Sequence, residues 1–281
     1  MTSWSREQEV YDTSMERAVA LVTILTLAAP ALVTAQEPKT GFLERSVRIG
    51  DATYPYKVYV PPGFDPSRSW PVILFLHGAG ERGIDGVQQT EVGLGRVLRT
   101  NPERFPAVVV FPQAPPGQVW LGDLARMATT ALDQTIAEFR GDPDRVSLVG
   151  LSMGAYGSWV LAFENPERYA AIVSVGGGIV PPAGRNALVE RLAPTLQADD
   201  PYAATAARVK GIPAWLFHGA DDPTVPVTES RRIVAALEKV GASPRYVEYA
   251  GVAHNAWDRA FAEAELPRWL LAQRRSGRGT H

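Results

Sequence analysis

The sequence predicts an α/β protein built on a mostly parallel, doubly wound sheet without a large cap domain. Three observations carry this. Continuous apolar runs at Val72–Leu76 (VILFL), Ala107–Phe111 (AVVVF) and Arg145–Val149 (RVSLV) suit strands covered on both faces. Stretches of helical spacing alternate with such runs, the signature of crossover connections. The residues with chemistry cluster just after the strands, where such sheets place functional groups.

Taken in order, Arg45–Ile49 and Tyr54–Val60 read as an antiparallel pair at a sheet edge. Val72–Leu76 and Ala107–Phe111 follow as buried strands. Leu124–Arg140 repeats Met127, Leu132, Ile136 and Phe139 at helical spacing. Arg145–Val149 is the next strand, and Gly154–Phe163 the helix after it. Ala171–Val175, Ala214–Phe217 and Tyr246–Tyr249 complete the strands. Ser230–Val240 and Asp258–Ala272 are amphipathic helices. The stretch of about forty residues between Val175 and Ala214 has room for one helix and a loop, not a lid domain, so an open site is expected.

With 281 residues, 46% hydrophobic and 21% charged, the composition is that of an ordinary globular chain. A formal net charge of −2 and the lack of a dense basic patch speak against a nucleic-acid partner. With no cysteine, disulfides, thiolate metal sites and a cysteine nucleophile are excluded. Near the N-terminus, Ala18–Ala35 is an apolar run, too short and too interrupted by proline for a membrane span. It suits the core of a secretory signal, with Val33-Thr34-Ala35 before the cleavage point and Met15 as the start that makes the signal compact. The expected organisation is residues 1–35 as over-extended start plus signal and 36–281 as one catalytic domain, secreted or periplasmic, with no membrane span in the mature chain.

Gly150-Leu151-Ser152-Met153-Gly154 matches G-x-S-x-G between a buried strand and a helix. A turn there projects the serine hydroxyl out of the sheet, and glycine at both flanks relieves crowding. A serine hydroxyl needs an adjacent base. Of the four histidines, His281 is terminal, and His77 and His218 each end a strand and read as packing or turn residues. His254 lies in a loop after the last strand and is the candidate base. The acid should lie between serine and histidine in sequence, and Asp221 and Asp222 both qualify, one of them being a turn residue. Backbone N–H groups of Ala79, in His77-Gly78-Ala79-Gly80, and of Met153 are placed to hold an oxyanion. No metal ligand spacing is present, and no cofactor is expected.

Five segments together carry a resemblance: His77–Gly83 (HGAGERG), Pro112–Trp120 (PQAPPGQVW), Asp142–Trp159, His218–Val227 (HGADDPTVPV) and Gly251–Phe261 (GVAHNAWDRAF). They resemble the secreted esterase and "predicted peptidase" branch of the α/β-hydrolases, similar to polyhydroxybutyrate depolymerases, feruloyl esterases and acetylxylan esterases. The resemblance implies the α/β-hydrolase fold, a Ser152–Asp222–His254 triad with the oxyanion hole at Ala79 and Met153, and an ester substrate, bulky or polymeric. Ala114 departs from it, standing where many relatives carry cysteine. Pro223 restricts Asp222 to extended backbone, which also favours Asp222 as the acid. Trp120 and Trp257 are candidate substrate contacts, whereas Trp159 reads as core. Glu81 and Arg82 are expected to form a local ion pair beside the oxyanion loop, with a substrate-carboxylate role for Arg82 as the alternative. A serine peptidase and a non-catalytic binding protein on the same fold are the competing functions; oligomeric state is left open.

Overall fold

Trp70–Leu76 shows how the sequence builds the sheet: every residue of this strand is buried. Val72, Leu74 and Leu76 join the core on one face, while Ile73 and Phe75 join the core on the other. The period of two thus feeds two separate apolar layers, and fully burying each such side chain is worth about 1.5–3 kcal/mol. The computed structural model describes residues 39–182 and 193–275. The expected signal segment and the mature N-terminus at Gln36 lie outside the described residues.

Among the described residues eight strands form one sheet: β1 (Gly41–Ile49), β2 (Ala52–Val60), β3 (Trp70–Leu76), β4 (Val108–Pro112), β5 (Gly141–Leu151), β6 (Ala171–Val175), β7 (Ala214–Gly219) and β8 (Arg245–Tyr249). Their spatial order is β1-β2-β4-β3-β5-β6-β7-β8. β1 and β2 pair antiparallel, β2 pairs antiparallel with β4, and the remaining strands run parallel. This is the α/β-hydrolase fold, with the antiparallel hairpin at the edge where the alternation placed it.

Among the described residues the helices are α1 (Leu94–Thr100), α2 (Asp123–Glu138), α3 (Met153–Glu164), α4 (Pro201–Val209), α5 (Thr228–Lys239), α6 (Trp257–Ala262) and α7 (Leu266–Ala272). Two of the expected helices differ in extent. The helix expected over Asp258–Ala272 is broken in two because Pro267 lacks an N–H and its ring would meet the carbonyl of Glu263. The Arg104 guanidinium takes up carbonyls freed there, donating to Phe261 O at 3.0 Å and Glu263 O at 2.7 Å. The helix expected to reach Arg140 ends at Glu138, and Arg140 turns into β5 with φ 49°. In the stretch before β7, α4 is capped by Asp200, which accepts from the N–H of Tyr202 and Ala203, with Pro201 in its first turn.

Candidate active site

β5 ends in a fully buried run, and the chain reverses into α3 within one residue. Ser152 takes up that reversal with φ 50° and ψ −120°, a conformation rare outside glycine. Its N–H donates to Val175 O at 2.8 Å, which ties the turn to β6. The glycines on either side are needed for close approach. A Cβ on Gly150 would stand 2.2 Å from Gly154 O, and one on Gly154 would stand 1.9 Å from Leu76 O. The turn therefore closes only with glycine at both places.

Ser152 Oγ lies 2.9 Å from His254 Nε2, and His254 Nδ1 lies 2.7 Å from Asp222 Oδ2. The three residues come from the ends of β5, β7 and β8, far apart in sequence. Burial pushes the Asp222 carboxyl up, but contacts from His218 and His254 and the N–H groups of Val225 and Thr224 outweigh it and hold the group well below the usual carboxylate range. An ionised carboxylate only accepts, so Nδ1 of His254 carries the proton and Nε2 presents its lone pair to the serine O–H. The Asp222 side chain is fully shielded, while that of His254 is 21% exposed and Ser152 lines the cleft, so the three residues open outward at the serine and the imidazole.

Asp222 is also the turn residue of the pair, so one side chain fills both places that the sequence divides between Asp221 and Asp222. Its Oδ1 accepts from Thr224 N at 2.8 Å and Val225 N at 2.9 Å, while Asp221 is exposed. One carboxylate can do both because its two oxygens point to different partners.

His218, read from sequence as a packing or turn residue, touches the relay directly. Its Nε2 lies 3.0 Å from Val225 O and 3.3 Å from Asp222 Oδ2, both acceptors, so that nitrogen is protonated. Its Nδ1 lies 2.7 Å from Ser230 Oγ, which also reaches Gly177 O. His77 has a comparable place under the other side of the site. Ala114 N donates to His77 Nε2 at 3.0 Å, leaving Nδ1 to donate to Gly78 O at 2.6 Å. Burial pulls its pKa down to about 4, helped by the Arg82 cation and opposed by the Gly78 carbonyl, so the ring is neutral. It fixes the Gly78–Ala79 turn against the chain leaving β4. The signal for both histidines is their position at buried strand ends, where a polar ring needs partners.

Ala79, Ser152 and Met153 line one cleft of about 340 Å³. Met153 opens α3, so its N–H has no acceptor within the helix. Trp120 forms part of the cleft wall, with its Nε1 donating to His77 O at 3.1 Å. Trp257 stands edge-on to the His254 ring at 5.3 Å between centroids and is not among the lining residues. Trp159 is core, donating to Ser174 Oγ.

The expected Glu81–Arg82 ion pair does not form, because the two side chains diverge. The Glu81 carboxyl turns beneath the oxyanion loop, with Oε2 3.0 Å from where a Cβ on Gly78 would be. Arg82 turns toward the cleft instead, donating from Nε to Gln118 O at 2.6 Å and from Nη2 to Met153 Sδ at 2.9 Å. Among the described residues no cluster of His, Cys, Asp or Glu could hold a metal ion, and no helix is long and apolar enough to cross a membrane.

The family model described as "Putative esterase" matches residues 48–269. An isoprenylcysteine alpha-carbonyl methylesterase of Arabidopsis thaliana is 25% identical over 240 residues, covering 70% of this chain and 53% of its own length. An "uncharacterized secreted protein" of Arthroderma benhamiae is 28% identical over 207 residues, covering 68% of this chain and 22% of that protein. The chain thus spans between about a fifth and about half the length of these curated relatives. Among solved structures, a thermostable esterase superposes with a TM-score of 0.70 at 29% identity, covering 83% of this chain and 63% of that one.

Proposed function

This chain belongs to the esterase family, and on that premise we propose that it hydrolyses carboxylic esters through an acyl-enzyme on Ser152. The observation that carries the reading is the unbroken hydrogen-bond chain from Ser152 through His254 to Asp222 at the wall of the cleft. Ser152 Oγ attacks the ester carbonyl carbon while His254 Nε2 takes its proton. The carbonyl oxygen becomes an oxyanion held by the N–H groups of Ala79 and Met153. Asp222 stabilises the imidazolium and keeps its orientation. As the tetrahedral intermediate collapses, His254 gives its proton to the departing alkoxide, and an alcohol leaves. Water then attacks the acyl carbon, His254 takes its proton, and the acid is released as Ser152 regains its hydrogen.

The cleft wall of Trp120, Leu121, Val119 and Val160 is apolar and suits an acyl or aryl group. Access for bulky or polymeric esters is part of the proposal, and the kinetics on esters of rising size reads it. The apolar run at Ala18–Ala35 and the secreted relative support export, with residues 36–281 as the mature catalytic domain. N-terminal sequencing of exported material should start at Gln36, and a chain retaining Leu25 contradicts cleavage.

A series of p-nitrophenyl esters tests the activity. The wild-type protein should turn them over, and Ser152→Ala should lose about a thousandfold or more with an unchanged far-UV spectrum. An undiminished Ser152→Ala variant contradicts the assignment.

A further inference from the structure

Arg82 is the one charged residue among the described residues lining the cleft, and it has no counter-ion there. It sits three positions beyond Ala79, on the loop that carries one proposed oxyanion donor. None of the ion pairs among the described residues includes it. The nearest acid in sequence, Glu81, has turned away beneath the loop. Its two partners among the described residues are a neutral carbonyl and a thioether sulfur, neither of which cancels the charge. A guanidinium offers five N–H groups in a planar fork, so the other three are left without an acceptor among the described residues.

Arg82 is half-buried at the edge of the cleft. Burial lowers the Arg82 pKa from the usual guanidinium value, and the nearby cleft surface is apolar. Its Nη2 lies 2.9 Å from the Met153 side chain, the residue whose N–H flanks Ser152. The Nε bond to Gln118 O aims the fork and fixes one edge of it, as a recognition group requires.

From this we infer that Arg82 is a specificity-determining residue that binds a carboxylate carried by the substrate, so that the preferred esters bear a second, anionic group. The inference rests on the esterase reading of the same cleft and names its substrate class. The carboxylate can sit on the acyl part, as in a half-ester of a dicarboxylic acid, or on the alcohol part, as in an ester of a hydroxy acid. Both present the same two oxygens to the fork.

Two substrate pairs separate these sources. Monomethyl adipate against methyl hexanoate places the charge on the acyl side, and 4-acetoxybenzoate against p-tolyl acetate places it on the leaving side. For each pair, the ratio of kcat/KM for the anionic ester to that for the neutral one is measured in wild type, Arg82→Gln and Arg82→Lys. Taking the change in ratio between proteins cancels the intrinsic reactivity of the esters. Arg82→Gln should lower the ratio in one pair by about 10- to 100-fold, the scale of a hydrogen bond to a charged group. Arg82→Lys should keep part of it, since charge remains but the fork is lost. Calorimetric binding of adipate and of 4-hydroxybenzoate to wild type and Arg82→Gln reads recognition without turnover. If binding depends on Arg82 while no ester is cleaved, the carboxylate site stands and the esterase reading fails. If neutral esters are cleaved and Arg82→Gln leaves both ratios unchanged, or lowers anionic and neutral turnover equally, the inference is overturned and Arg82 only braces its loop.

Discussion

His218 Nε2 lies 3.3 Å from Asp222 Oδ2, the same oxygen that His254 Nδ1 reaches at 2.7 Å. One carboxylate oxygen is thus flanked by two rings, one partly exposed and one fully buried. Ser230 fixes the buried ring from its far side at 2.7 Å. On the proposed mechanism, His218 would be a positioning residue that acts on the reaction through Asp222.

Ser230→Ala should therefore lower kcat by about tenfold with KM little moved, and His218→Asn by up to about a hundredfold, the cost of a small misplacement of a reacting group. Steady-state kinetics on one neutral ester reads both. A fall in KM-dependent terms alone, with kcat intact, contradicts a positioning role.

The two adjacent aspartates should separate sharply. Asp222→Asn leaves His254 able to adopt the wrong tautomer and should cost up to about ten-thousandfold in turnover. Asp221→Asn alters an exposed group and should cost at most about tenfold. Side-by-side kinetics in which Asp221→Asn is the more damaging would place the acid one residue earlier.

Acid should destabilise the fold through His77. Its folded pKa of about 4 lies below the ordinary 6.5, so the unfolded chain binds the proton first. The stability this contributes is complete above about pH 6.5 and is lost as pH falls toward about 4, amounting to roughly 3 kcal/mol at about 1.4 kcal/mol per pH unit. Urea midpoints measured from pH 7 to 4 should fall more steeply in wild type than in His77→Gln. Parallel slopes contradict the assignment.

Gly154→Ala should fail by a different route, since its Cβ would meet the Leu76 carbonyl at 1.9 Å, and backbone cannot yield as a flexible side chain can. A loss of about 1–3 kcal/mol or more is expected, read as a lowered thermal midpoint together with lost turnover. An unchanged midpoint would mean that the turn has more room than the geometry allows.

Much of this architecture was legible because it follows from local patterning. The apolar runs marked the parallel strands, and the glycines around Ser152 marked a turn that tolerates nothing larger. Helix α1 lacked a long enough apolar period to be read, and the break before α7 went unread although Pro267 was its cause. The roles of His218 and His77 depend on contacts to Ser230, Val225 and Ala114, which no local pattern displays. The Glu81–Arg82 pair looked natural from adjacency, yet neighbouring residues in a tight turn can point apart, and these do. Asp222 was singled out by the family resemblance together with its proline, but its double contact, with Oδ1 in a turn and Oδ2 on His254, needed the fold.

The proposed mechanism requires Ser152 to be the activated nucleophile. A fluorophosphonate added to the native protein, followed by peptide mass mapping, tests it most directly. One adduct on Ser152 is predicted, formed in step with loss of ester turnover, and strongly slowed in Asp222→Asn. Labelling at another serine, or full turnover by protein whose Ser152 is modified, would contradict the account.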